Sequence, residues 1–254
     1  MKNMLITCAT SGIGAAVATA LSHDHHLFVA GRNVQKLQHL TDQLSLQAAG
    51  RVDMAPLDFF SESIIDDCAQ ALSQSNRLDG VVFILPRIPP SSEVFPDDES
   101  WKNLYHRYFI LPLRLMKQIV ENHCLNPGGK IVFISGLSSK TALSHYAMNN
   151  CLRSAWLGQA KTMALSLAEL QISVNTLSLG GVMTDSYTQK MQNKAKDKGM
   201  DFDQLMEQET ANIPLKKYAS VDNVTQAVLS LLGPISDHMT GQNILLDGGF
   251  NKAY

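Results

Sequence analysis

Residues 7–14 have the composition of a loop that binds phosphate. Their sequence, T-C-A-T-S-G-I-G, stands between a short apolar run and a segment rich in alanine. A helix N-terminus offers unpaired N–H groups and a partial positive charge, and small residues let the backbone approach a pyrophosphate. Two glycines alone are weak evidence, but a strand–turn–helix context at the start of an alternating chain strengthens them. We therefore expect a dinucleotide to contact Thr7, Ser11, Gly12, Ile13 and Gly14.

Two charged residues follow the next predicted strands and bear on the choice of dinucleotide. An acidic residue at the end of the second strand would bind a ribose 2′-hydroxyl, whereas Arg32, which stands there, offers paired donors to a 2′-phosphate. This favours NADP(H) over NAD(H), the alternative being a solvated arginine at a helix start. Asp58, after the third strand, is placed either to accept a hydrogen bond from adenine or to cap the next helix.

These residues resemble the short-chain dehydrogenase/reductase family over nearly the whole chain. The family's opening pattern T-G-x-x-x-G-x-G is present with Cys8 in place of its first glycine. Residues 240–242 (T-G-Q) and 246–249 (L-D-G-G) resemble its closing strand. The resemblance is strongest to the 3-oxoacyl-carrier-protein reductases. It implies a Rossmann-type fold, dependence on a nicotinamide dinucleotide and oxidoreductase activity.

The resemblance also implies which residues carry the reaction. In the family a tyrosine gives a proton to the substrate carbonyl, and a lysine four residues later holds the nicotinamide ribose. Here Tyr146 stands at the tyrosine position and Asn150 at the lysine position. Thr184 stands where the family contacts the nicotinamide amide. We expect Tyr146 to be catalytic, and Asn150 and Thr184 to contact the cofactor.

Two further family positions are changed. The family's serine, which polarises the carbonyl, is replaced by Gly136, but Ser135 and Ser138 are close by and we expect Ser138 to take its role. The family's asparagine, which anchors a water that relays protons, is replaced by Tyr108. A tyrosine ring there would block that water only if it faced the site.

Two residues are candidates to replace the missing lysine. Arg153 lies seven residues after Tyr146, on the same helical face, and the family's enoyl-reductase branch has its lysine at that longer spacing. The alternative is a surface arginine on an amphipathic helix. Lys140 precedes Tyr146 in the same loop and is the second candidate.

Two functions remain open at this point. The first is an NADP(H)-dependent oxidoreductase that reduces a small carbonyl or acyl substrate with Tyr146 as proton donor. Because tyrosine is protonated below a pKa near ~10, loss of the lysine should favour reduction over alcohol oxidation. The second is a catalytically silent relative that binds a dinucleotide or acts as a partner subunit.

Apolar runs that alternate with helix-period segments must position these residues. Seven runs predict strands at residues 4–7, 27–30, 52–57, 81–85, 130–134, 173–177 and 243–246. This pattern indicates an α/β chain with a Rossmann-type doubly wound parallel sheet of about seven strands, forming one domain over residues 1–254. Among the helix signals are a cap at Asn33, a capping box of Ser63 with Asp66, and Pro112 as a kink in a helix over 100–122.

Residues 185–212 are polar and predict a substrate lid outside the sheet. Met191, Met200 and Met206 could line an apolar substrate pocket or only pack the lid down.

Composition limits the partners and the compartment. The chain has 254 residues, 21 basic and 23 acidic, without a basic run, which argues against nucleic acid or a membrane as partner. Four well-separated cysteines favour reduced thiols in the cytoplasm and no metal site. The resemblance implies a homodimer or homotetramer, because the family pairs its subunits through the helices that correspond to residues 101–122 and 146–170 and through the C-terminal strand. Both helices are apolar beyond one stripe here, as such pairing requires.

Overall fold

The computed structural model describes residues 1–89, 91–144 and 146–253. Seven parallel strands form one sheet in the order β3-β2-β1-β4-β5-β6-β9. These strands are β1 Lys2–Ile6, β2 His25–Gly31, β3 Val52–Pro56, β4 Leu78–Ile84, β5 Leu125–Gly136, β6 Ser173–Leu179 and β9 Asn243–Leu246. Two short strands, β7 Val182–Met183 and β8 Ala219–Ser220, pair separately beside the sheet. The predicted fold class is confirmed.

Helices cover both faces of the sheet. One apolar core lies between the sheet and α1, α2 and α9, and the other lies between the sheet and α3, α5 and α6. The helices are α1 Gly12–Ser22, α2 Val34–Ser45, α3 Glu62–Ser73, α4 Asp98–Tyr105, α5 Leu111–Glu121, α6 Ala147–Ser166, α7 Asp185–Lys198, α8 Phe202–Glu209 and α9 Val221–Leu232. Strand β6 is buried along its whole length, as expected of a strand covered on both faces.

Side-chain caps explain several helix starts. Asn33 accepts a hydrogen bond from the Lys36 amide at 2.9 Å, as its position before α2 predicts. The predicted capping box of Ser63 and Asp66 is wrong, because Ser61 precedes α3 and Asp66 pairs with Arg114 instead.

The helix predicted over residues 100–122 is divided by a wide turn. Between α4 and α5 the residues His106–Ile110 form a π-helical turn, and Pro112 stands in the first turn of α5. The backbone stays helical through Ile110, so Pro112 lacks the N–H that would otherwise donate to the carbonyl four residues earlier, that of Tyr108. The irregular turn brings the Tyr108 carbonyl within 2.8 Å of the Trp156 indole nitrogen, which donates to it.

Residues 185–212 lie outside the main sheet. They form α7 and α8, which pack against each other, and the ammonium of Lys194 lies 2.8 Å from the Glu209 carboxylate across the pair. Among the described residues, no helix is both long and apolar enough to cross a bilayer.

Candidate active site

A cleft of about 710 Å³ opens at the carboxyl ends of the central strands. Its walls come from the ends of β4, β5 and β6, from the start of α1, from α7 and from the end of α8. In open α/β sheets this edge is where ligands bind. Of the residues selected from the sequence, Ile13, Tyr146 and Thr184 line this cleft, and so do Ser135, Gly136 and Arg153.

The glycine turn is built tightly around the start of α1. Ser11 caps the helix, its hydroxyl accepting from the Gly14 amide at 3.0 Å. A Cβ on Gly14 would lie 2.9 Å from the Ala9 Cα, so a side chain there would force the turn open. Ser11 and Gly12 are exposed, which leaves the helix start accessible to a phosphate.

Cys8 adopts a backbone conformation that favours glycine. Its φ is +48°, in the left-handed region. Burial raises the pKa of its thiol to about 12, although Arg32 opposes the shift. A thiol in this state is an unreactive apolar group. The turn therefore keeps the shape that the family's glycine would give it.

Thr7 does not face the cleft, contrary to the sequence prediction. It is fully buried, its hydroxyl donates to the Ile84 carbonyl at 2.7 Å, and the Ile84 amide donates back at 2.8 Å. Thr7 therefore joins the end of β1 to the end of β4.

Arg32 is exposed at the end of β2, close to a second arginine. The guanidinium carbons of Arg32 and Arg107 lie 5.9 and 4.9 Å from the centre of the Phe60 ring. Neither arginine makes an ion pair with the residues that the structure describes. Asp58, two residues before Phe60, accepts from the Phe60 amide at 3.0 Å and shapes the loop before α3. Together these residues fit the phosphorylated ribose of NADP(H).

Tyr146 stands immediately before α6 on the cleft wall. Its side chain is 39% exposed, so its hydroxyl has access to water. Asn150, four residues later, has a different role from the predicted one. Its amide nitrogen donates to the Leu143 carbonyl at 3.0 Å, and its amide oxygen accepts from the Leu143 amide at 3.3 Å. Asn150 thus fastens the preceding loop to α6.

Arg153 occupies the space beside Gly136. A Cβ on Gly136 would lie 2.5 Å from the Arg153 Cζ and 2.9 Å from its Nη2. Arg153 Nη1 donates to the Ser138 hydroxyl at 3.0 Å. The pKa of Arg153 is lowered, chiefly because burial removes water from the guanidinium, while nearby Tyr146 opposes that shift. The guanidinium therefore stands where a side chain at position 136 would project.

Ser138 is buried at 2% exposure behind Arg153 and does not line the cleft. The prediction that it polarises a substrate carbonyl is therefore not supported by its position, and Ser138 orients Arg153 instead. Ser135 does line the cleft. Lys140 is exposed outside the cleft.

Tyr108 turns away from the cleft. Its ring packs edge-on against Phe60 with centroids 5.3 Å apart, and it is not among the residues that line the cleft. Its carbonyl accepts from the Trp156 indole. Tyr108 therefore neither blocks the site nor offers this carbonyl freely to a relay water.

The side of the cleft beside α7 is aromatic and polar. Thr184 caps α7 through the Tyr187 amide, and its side chain lies 3.4 Å from the Cβ position of Gly12. The Tyr187 and Tyr218 rings meet edge-on at 5.6 Å. Met191, Met200 and Met206 are absent from the described cleft lining, which removes the predicted methionine-lined pocket.

Sequence reasoning missed three contributors to this region: Arg107, Trp156 and Tyr218. Arg107 and Trp156 stand on helices far from the glycine turn in sequence. Tyr218 precedes β8, and its ring covers the backbone of Gly181. The only sequence feature that could have indicated Tyr218 is the glycine pair at 180–181, because glycine lets a neighbouring side chain pack directly against the backbone.

Comparison with known proteins agrees with this fold. Residues 8–251 match the family model described as Enoyl-(Acyl carrier protein) reductase. The chain therefore belongs to the short-chain dehydrogenase/reductase family.

Individual relatives match over their full length. The chain is 25% identical over 255 residues to the NADPH-dependent reductase BacG of Bacillus subtilis, covering 99% of this chain and 98% of the relative. It is 25% identical over 260 residues to the 3-oxoacyl-(acyl-carrier-protein) reductase FabG of Rickettsia conorii, covering 98% and 96%. The structure of L-sorbose reductase from Gluconobacter frateurii, complexed with NADPH and L-sorbose, superposes with a TM-score of 0.90 at 21% identity, covering 100% and 97% of the two chains.

Proposed function

We propose that the protein is an NADP(H)-dependent reductase of small carbonyl compounds, with Tyr146 as the proton donor. The observation that carries this proposal is the position of Tyr146 on the wall of the same cleft that Ile13 and Thr184 line. A reductase needs a proton donor and a dinucleotide site on one cavity. The similarity to BacG, an NADPH-dependent reductase, and to FabG, a 3-oxoacyl-(acyl-carrier-protein) reductase, supports a reductase role.

The chain's own residues fit the cofactor. The exposed Ser11 and Gly12 at the start of α1 would bind the pyrophosphate, and Arg32 with Arg107 would bind the 2′-phosphate. Thr184 would contact the nicotinamide end. When bound, the cofactor supplies the hydride that reduces the carbonyl carbon.

Tyr146 supplies the proton to the carbonyl oxygen. Because its side chain is 39% exposed, water can return a proton to the hydroxyl without a buried relay. A buried proton relay through positions 108 and 150 is not needed in this scheme. The Tyr108 carbonyl accepts a hydrogen bond from Trp156, and the Asn150 amide donates one to Leu143. We also propose that α7 and α8, within residues 185–212, act as the substrate lid and that the protein works in the cytoplasm.

The test is turnover of NADPH with a panel of ketones and acyl thioesters, followed by absorbance of the reduced nicotinamide. Tyr146→Phe should lower kcat by about 100-fold or more, the usual contribution of a positioned acid. NADPH affinity should stay unchanged, because the ring is retained.

Tyr105→Phe is the matched control, because Tyr105 packs between Trp101 and Phe109 outside the cleft lining. It should keep full activity. Turnover that survives Tyr146→Phe would contradict the assigned role. Tight NADPH binding without turnover of any substrate would favour the silent dinucleotide-binding relative instead.

A further inference from the structure

The charges on the cleft wall are unbalanced. Three cations line it: Arg87, Arg153 and Lys190. None of the three makes an ion pair with the part of the chain that the structure describes. The two acidic residues that line the cleft, Glu209 and Asp247, already have partners within the protein.

The engagement of these acids is specific. Glu209 is paired with Lys194 at 2.8 Å. Asp247 accepts from the backbone amides of Gly249 and Asn251 at 2.9 and 2.8 Å. Both carboxylates keep their negative charge, so the described cleft lining carries three cationic and two anionic side chains and is net positive by one charge.

Arg153 differs from the other two cations in its burial. Arg87 and Lys190 are exposed and keep their water, whereas the Arg153 guanidinium is partly desolvated between Gly136 and the α6 backbone turn that carries it. Its one recorded hydrogen bond is to the neutral hydroxyl of Ser138. A desolvated cation without a countercharge costs free energy, which an anionic ligand would return.

The shape of the group defines the anion. A guanidinium has five N–H donors in a planar fork, and one of its terminal nitrogens is directed to Ser138. The remaining donors match the two oxygens of a carboxylate. Tyr146 and Arg153 line the same cleft, so one small molecule can contact both groups.

We propose that the substrate is an oxo acid whose carboxylate binds Arg153 while its ketone oxygen faces Tyr146. This deepens the proposed reductase function and rests on it. Arg87 and Lys190, at the exposed edge of the cleft, add long-range attraction for the anion.

Two other uses of Arg153 make different predictions. If it held the nicotinamide ribose, its removal would weaken NADPH binding. If it polarised the ketone oxygen, its removal would slow neutral and anionic ketones equally. Only recognition of the carboxylate makes the loss depend on the substrate's charge.

The experiment compares 2-oxobutanoate and 3-oxobutanoate with their methyl esters in the wild type, Arg153→Gln and Arg153→Lys. We expect at least one acid's kcat/KM, relative to its own ester, to fall tenfold to a hundredfold in Arg153→Gln. Arg153→Lys should recover part of the loss, because it restores charge without the fork. Lys140→Gln, which removes an exposed charge outside the cleft, should leave the ratio unchanged.

A binding measurement separates this proposal from the reductase function. Oxamate and malonate, compared with the neutral oxamide and malonamide, are titrated into the NADPH complex and followed by nicotinamide fluorescence. The anions should bind the wild type and lose affinity in Arg153→Gln, even if no ketone is turned over.

The proposal is overturned by any of three results. These are an equal loss for acid and ester in Arg153→Gln, a fall in NADPH affinity in that variant, or equal binding of the anions and their neutral diamides to the wild type. Failure of turnover with selective anion binding would count against the reductase function alone.

Discussion

Arg32 and Arg107 meet at the face of one aromatic ring, and this small cluster sets the expected cofactor preference. Both guanidinium groups lie within 6 Å of the Phe60 centroid. Arg32→Ala should weaken NADPH binding by about tenfold to a hundredfold, the range of a charge-assisted hydrogen bond, and change NADH binding little. Fluorescence titration with both cofactors measures this.

Arg77→Ala removes an exposed arginine on the loop before β4 and serves as the control. It should alter neither affinity. Equal losses for NADPH and NADH in Arg32→Ala would mean that the residue supports the fold of the loop rather than the 2′-phosphate.

Single residues were the hardest part of the site to predict from sequence. Ile13, Tyr146 and Thr184 reach the cleft because the strand ends and helix starts that carry them follow directly from local pattern. Thr7 and Asn150 do not reach it, because each finds a backbone partner that sequence does not reveal. For Thr7 that partner is 77 residues away.

At the scale of elements, a buried lysine connects β5 to the turn after α9. Lys130 is 7% exposed, and its ammonium lies 2.6 Å from Asp237 Oδ1. The hydrogen bond from Lys130 lowers the pKa of Asp237. Asp237→Asn should lower the midpoint of urea unfolding at neutral pH, because the buried ammonium loses its countercharge.

The stabilisation by the Lys130–Asp237 pair should decrease in acid. Because the folded pKa of Asp237 lies below the unfolded value near ~3.9, this stabilisation is complete above about pH 4 and is lost as pH falls through the folded value. The difference between wild type and Asp237→Asn should therefore narrow in acid. Asp67→Asn, an exposed change of the same charge on α3, should show little effect at either pH; an equal effect would refute the link.

The sequence predicted which segments form strands and helices better than it predicted where they begin and end or which side chains they contact. All seven main strands were located by their Val, Ile and Leu content, and β9 has the predicted limits exactly as Asn243–Leu246. Strand β5 extends back to Leu125 through Pro127 and two glycines, residues that ordinarily end a strand. The predicted capping box at Ser63 is wrong for the same reason as the predictions for Thr7 and Asn150, namely a hydrogen-bond partner that local sequence does not reveal. Asp66 pairs with Arg114, which is 48 residues away in sequence.

At the scale of the whole molecule, one face of α6 is exposed and is made mostly of small side chains. Cys151, Ser154, Gly158 and Thr162 are exposed along it, followed by Leu165 at 69% exposure. We expect this face to pair two copies of the chain into a homodimer, alone or within a homotetramer. Small residues let two helices approach closely, and Leu165 gains burial.

Light scattering after size-exclusion chromatography tests the pairing. Gly158→Glu should yield monomers, because nothing lies within 4 Å of a Cβ at this position in one subunit and glutamate favours the helix. Gln35→Glu adds a similar charge on exposed α2 and should leave the assembly intact. A monomeric wild type would show that this face pairs no subunits. An unchanged assembly in Gly158→Glu would show that the subunits meet at another surface.

The close approach of Gly136 and Arg153 also restricts how this chain can change over generations. Any side chain at position 136 would collide with the guanidinium, whose Cζ lies 2.5 Å from the first carbon added. A serine at position 136 would require the Arg153 guanidinium, the flexible end of a long side chain, to move from its present place. That movement would also break the hydrogen bond that Arg153 donates to Ser138. A substitution at either position is therefore expected to change what the other one contacts.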